Sequence, residues 1–162
     1  MITPTYLAKA YGRNVSIVKM QVEGLSQEES LVQLPFRANC MNWVVGHIVS
    51  NRHTVLRLLD GAEPAEAGRV RRYDRESEPV NGAGEGVLPL AELIELLEQA
   101  QAQLAARLAE ITPGRLEEQV AFLGDRSQSV AEWLMFYFFH DTYHVGQTEI
   151  LRQAAGRDDK VI

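Results

Sequence analysis

Between positions 90 and 111 the chain sets Leu90, Leu93, Ile94, Leu97, Leu104, Leu108 and Ile111 on one stripe, with glutamates and glutamines opposite. Apolar residues recurring in step with about 3.6 residues per turn mark an amphipathic helix. Such a helix is marginal alone in water, so other elements must cover its stripe. The rest of the sequence supplies more helices. Leu7, Ala10, Tyr11, Val18, Val22 and Leu25 form a stripe that follows Thr3 and Pro4, a sound helix opening because proline's missing N–H costs nothing there. This spacing predicts a first helix to about residue 24. A second starts near Asn39 and runs through MNWVVGHIVSNRHTVLRLL to the Asp60-Gly61 stop. Thr112-Pro113-Gly114 ends the third. The fourth opens at Ser129, which forms an S-x-x-E capping box with Glu132, and ends before Gly156. Its middle is apolar almost all round, so it is expected to be the most buried element. SQEE, from Ser26, reads as a capping box for a short extra turn before Pro35.

From Gly61 to Leu88 glycines, prolines and charges accumulate without a sustained strand or helix period. Connections beyond about 12–15 residues are uncommon in compact domains and are often functional, so this segment is a candidate lid or crossover. Its Arg69, Arg71, Arg72 and Arg75 either meet an anionic substrate or belong to a solvated loop balanced by Glu66, Asp74, Glu76 and Glu78. No convincing strand pattern is present. The expectation is an all-α fold, a single domain over residues 1–162: a four-helix bundle whose long crossover between helices 2 and 3 lets neighbours run parallel.

A formal net charge of -6 argues against nucleic acid as a partner, because phosphate-backbone binding needs a concentrated basic surface. No run approaches the ~20 apolar residues of a membrane helix. The stretch MITPTYLAKAYGRN lacks the basic start and apolar run of a signal peptide, and the sole cysteine, Cys40, rules out an intramolecular disulfide. A cytoplasmic location is expected.

Residues 136–147 read FYFFHDTYHVGQ, an apolar helix that carries His140 and His144. Four positions apart, the two imidazoles share one face. Alone, the pair is a weak motif, since such histidines also hydrogen-bond within a core or at a surface. A third, His47, sits in the middle of another helix, on a face with Trp43, Ser50, Asn51 and Thr54. Three neutral imidazoles can bind a divalent ion at ~2.0–2.1 Å and leave a coordination position open, which suits catalysis better than a purely structural ion. Zinc and nickel fit such a donor set, and iron(II) also suits it. Asp141 points roughly 100° away from His140 and is not placed as a ligand. Asn51, Tyr137 and Gln147 lie three or four positions from a histidine; packing or ordinary polar satisfaction is the favoured reading of them, and orienting the site is the alternative. His53, roughly 240° around the helix from His47, is expected at the surface. Cys40 lies roughly 10 Å along the axis from His47, too far to share its metal, and is expected to be a small buried side chain. Trp43 and Trp133 are expected as core or pocket wall.

NWVVGHIVSNRHTVLRLL, the pair within HDTYHVGQ and the following EILRQAAG together resemble the DinB superfamily, the YfiT-like metalloenzymes. The resemblance covers nearly the whole chain in order. It implies up-down-down-up topology, a frequent homodimer, and a divalent metal at one end of a cleft held by His47, His140 and His144. Similar proteins include S-transferases that use bacillithiol or glutathione, a mycothiol-dependent maleylpyruvate isomerase and hydrolases, while many have no known activity. The leading expectation is a thiol-dependent S-transferase in which the ion activates a low-molecular-weight thiol toward a small-molecule electrophile. The alternatives are a metal-dependent hydrolase and a non-catalytic metal-binding stress or interaction protein.

Overall fold

The computed structural model describes residues 3–162, so the first two positions of the single-domain expectation lie outside it. Most of these residues are helical. Helix α1 spans Pro4–Val22, with Thr3 as N-cap accepting from the Tyr6 N–H. The short α2, Gln27–Ser30, opens on the expected capping box of Ser26 and Glu29. Helix α3 is Met41–Asp60, closed by Gly61 in the left-handed conformation that glycine adopts without a Cβ penalty. Helix α4 is Leu90–Glu110 and α6 is Val130–Ala154. The main helix contacts put α1 against α4 and α6, and α3 against the same two.

Several expectations need correction. Thr112 does not merely stop α4: its side chain caps α5, Pro113–Glu117. A two-stranded antiparallel hairpin follows, β1 over Gln119–Leu123 and β2 over Arg126–Ser129, paired from Gln119 opposite Ser129. Its signal is short: the half-buried Val120 and Phe122 alternate with the exposed Gln119, Ala121 and Leu123 before the Gly124-Asp125 turn. The hairpin matters to the core, because Phe122 meets Trp133 edge to face and the Trp133 indole N–H donates to the Val120 carbonyl at 3.1 Å.

Nor is α6 the most buried element. It leaves Phe139, Tyr143 and Ile150 at 70%, 60% and 56% exposure, whereas α3 is buried almost all round. The difference lies in what covers each helix. The crossover after α3 holds a 3-10 helix, Ala67–Tyr73, that packs back onto α3 and covers a third side of it. Gly46 permits the approach, since a Cβ there would overlap the Tyr73 ring carbons.

Two apolar cores fill the interior. One gathers Val18, Val45, Ile48, Tyr73, Leu93 and Val145; the other gathers Tyr11, Leu56, Leu104, Trp133 and Leu134. Near the junction of the two cores each long helix contributes a polar residue to one layer: Asn14 on α1, Arg52 on α3, Gln101 on α4 and Asp141 on α6. The Arg52 guanidinium donates to Gln101 Oε1 and, at 2.5 Å, to Asp141 Oδ2, and it lies 4.5 Å over the Tyr11 ring. Burial raises the Asp141 carboxyl despite the attraction of Arg52. This layer ties α3 to α4 and α6 at one height.

Candidate metal centre

The three histidines singled out in the sequence come together. His47 projects from α3, His140 and His144 from α6, and one nitrogen of each lies within 4.8 Å of the other two. Their ring centroids are 4.5–5.3 Å apart, each pair set edge to face. Trp43 stacks on His47 at 4.6 Å, while Phe136 stacks on His140.

Hydrogen bonds decide which imidazole nitrogens carry lone pairs. His47 Nδ1 lies 2.7 Å from the Tyr73 carbonyl oxygen. A carbonyl only accepts, so this nitrogen carries the proton and Nε2 keeps its lone pair. His144 Nδ1 lies 2.8 Å from Gln147 Oε1 and is protonated by the same reasoning. His140 Nδ1 is buried with no hydrogen-bond partner among the described residues. Burial disfavours the imidazolium in all three. His47 is pushed down to about 4, by burial first and then by His144 and His140; His140 also falls to about 4, and His144 is lowered. The donor set therefore fits a divalent ion: three neutral imidazoles, two held in one tautomer from outside, and a third with a nitrogen that no protein group satisfies.

The candidate orienting residues separate. Gln147 holds the His144 ring. Asn51 donates instead to the His47 main-chain carbonyl at 2.9 Å, within α3. Tyr137 packs against Phe122 and Phe136 in the second core, and among the described residues its hydroxyl bonds to none of the three imidazoles. Asp141 faces Arg52, away from the donor atoms. Cys40 is buried and donates to the Val80 carbonyl at 3.3 Å.

His53 contradicts its expected surface position. It is 5% exposed, its Nδ1 has no hydrogen-bond partner among the described residues, and burial lowers its pKa. The angle from His47 was sound, for His53 stands outside the cluster, but the side it faces is covered by the segment carrying Glu63 and Glu66.

The crossover contributes more than sequence reasoning found. Besides the Tyr73 carbonyl, Ser77 Oγ accepts from the Trp43 indole at 3.0 Å, and Asp74 Oδ1 accepts from Ser50 at 2.6 Å. The Tyr73 hydroxyl donates to Asn42 Oδ1 and accepts from the Leu88 N–H. Its arginines are largely engaged: Arg69 with Glu66 and Glu92, Arg72 with the Glu78 and Pro79 carbonyls. A cleft of about 830 Å³ opens beside His144, between the crossover, the α2–α3 linker and the C-terminal half of α6.

A family model described as the DinB superfamily matches residues 17–148. The fold is similar to that in the crystal structure of a conserved protein from Enterococcus faecalis, with a TM-score of 0.75 and 13% identity over 96% of this chain and 98% of that one. No curated protein matches. No helix among the described residues is long and apolar enough to cross a membrane.

Proposed function

From the premise that the chain belongs to the DinB superfamily, we propose that it is a divalent-metal enzyme in which His47, His140 and His144 hold zinc, nickel or iron. The observation that carries this reading is the convergence of three neutral imidazoles from two helices beside an open cleft. When bound, such an ion lowers the pKa of a thiol or water at its open position, and thiol-dependent S-transfer to a small electrophile is the reaction we favour. The chain's own residues orient and enclose: the Tyr73 carbonyl and Gln147 fix two imidazoles, and Trp43 packs over His47. Hydrolysis remains second, since no carboxylate beside the three donors offers itself as proton acceptor. A non-catalytic metal-binding protein is the third reading.

The helix contacts and the long crossover support a four-helix bundle of up-down-down-up topology. The exposed Met135 and Phe139, one turn apart on α6 and outside that cleft, support a homodimer. Sedimentation would find it; a monomer at micromolar concentration refutes it.

The first test is metal content by mass spectrometry of untagged protein, wild type beside His47→Ala, His140→Ala and His144→Ala. About one ion per chain, lost in each variant, is expected for a three-ligand site. No metal in the wild type after incubation with zinc or nickel sinks the metalloenzyme reading. With metal present, thiol transfer is screened before hydrolysis; a bound ion without turnover in either screen leaves the third reading.

A further inference from the structure

We propose that the cleft beside the histidine cluster takes a small organic anion with an apolar body, its acidic group paired with Arg37 and its other end toward His144. The proposal deepens the enzyme reading and rests on it for which end reacts.

Size sets the first limit, for about 830 Å³ falls within the range of small-molecule sites. Chemistry sets the second. The walls are apolar at Leu34, Phe36, Ile150 and Leu151, and Phe36 is 62% exposed, an apolar surface facing solvent inside a concavity. Among the described residues, two charged side chains line the cleft, Arg37 and Glu76. Glu76 already has a cation beside it, Arg75 at 3.6 Å. Its backbone takes φ 66, a left-handed conformation uncommon for a residue other than glycine and one that concentrates at functional clefts. Arg37 forms no ion pair or hydrogen bond among the described residues, although most other arginines do. In a chain of net charge -6, an uncompensated guanidinium on an apolar wall is the feature that selects a ligand. Its planar fork matches a carboxylate with two parallel hydrogen bonds.

The test compares octanoate with 1-octanol, matched in apolar body and different in charge, by calorimetric titration of the full chain as purified. Octanoate is expected to bind roughly two- to fivefold more tightly, the scale of an ion pair at an exposed guanidinium such as Arg37. Arg37→Gln should erase that preference while leaving octanol affinity and metal content at wild-type values. Equal affinity of the two probes, no octanoate binding, or an undiminished preference in Arg37→Gln overturns the proposal. A preference that survives in Arg37→Gln but disappears in His144→Ala would assign the carboxylate to the ion, so the metal reading would stand while this one fell. A metal-free wild type that keeps the Arg37-dependent preference would do the reverse.

Discussion

Removing the Asp141 carboxylate should destabilise the fold more than any surface change, and removing its partner as well should restore it. Arg52 and Asp141 side chains are 0% and 2% exposed, and the guanidinium has only Gln101 and the Tyr11 ring besides. Asp141→Leu therefore strands a buried cation, at a cost of about 3–5 kcal/mol. Against a total stability of roughly 5–15 kcal/mol that is a large share. At about 2–4 °C per kcal/mol for a chain of this size, the midpoint falls by roughly 6–20 °C. Arg52→Met with Asp141→Leu leaves no charge in this layer. Because burial outweighs attraction at Asp141, the double variant should lie between neutral and about 4 kcal/mol more stable. Urea unfolding with excess chelator measures both free energies without a contribution from bound metal. A single variant within about 1 kcal/mol of wild type, or a double as unstable as the single, refutes the argument.

The metal-free protein should lose stability in mild acid. Folded His47 and His140 titrate near 4, against 6.5 for the unfolded imidazole. Below that upper value the unfolded chain takes up protons the folded chain refuses, so stability present at neutral pH declines as pH falls from about 6.5 through about 4. His47 alone accounts for up to roughly 3 kcal/mol, and a flat profile of unfolding free energy across that window contradicts the burial argument. Gln147→Leu removes the acceptor that fixes His144 while leaving the ring in place. Zinc affinity by competition with a chromophoric chelator should fall roughly 10–100-fold with the melting point of the metal-free protein kept, and unchanged affinity would deny Gln147 its orienting role.

The sequence made the helices and the three histidines visible because both are written in local spacing. A stripe such as Leu90 to Ile111 needs only the helix period, and the His140–His144 step needs only one turn. Burial is different, since it depends on what a distant segment covers. His53 and the outer face of α6 were misplaced for that reason: the crossover returns onto α3 and leaves Phe139 and Tyr143 uncovered. Asn14, Arg52, Gln101 and Asp141 each pass as an ordinary polar residue, and only the packed helices reveal them as one layer. The hairpin was lost because nine strand residues carry too little alternation to stand out.

The same distinction explains how the site is built. Two helices alone bring three imidazoles near one another, yet among the described residues no hydrogen bond from those helices fixes the His47 tautomer, whose Nδ1 proton goes to the Tyr73 carbonyl. Tyr73 in turn is held by Asn42 and Leu88 through its hydroxyl, and its ring rests on Gly46, one residue before the histidine it orients. The crossover thus approaches α3 at the one position of that turn without a side chain, and a single residue packs on the helix, bonds its first turn and the far end of the connection, and selects the tautomer. Ser77, four residues on, holds the indole that stacks on the same imidazole. A segment without helical or strand period therefore fixes the tautomer of the histidine that the periodic segments deliver, through its contacts with Trp43 and His47.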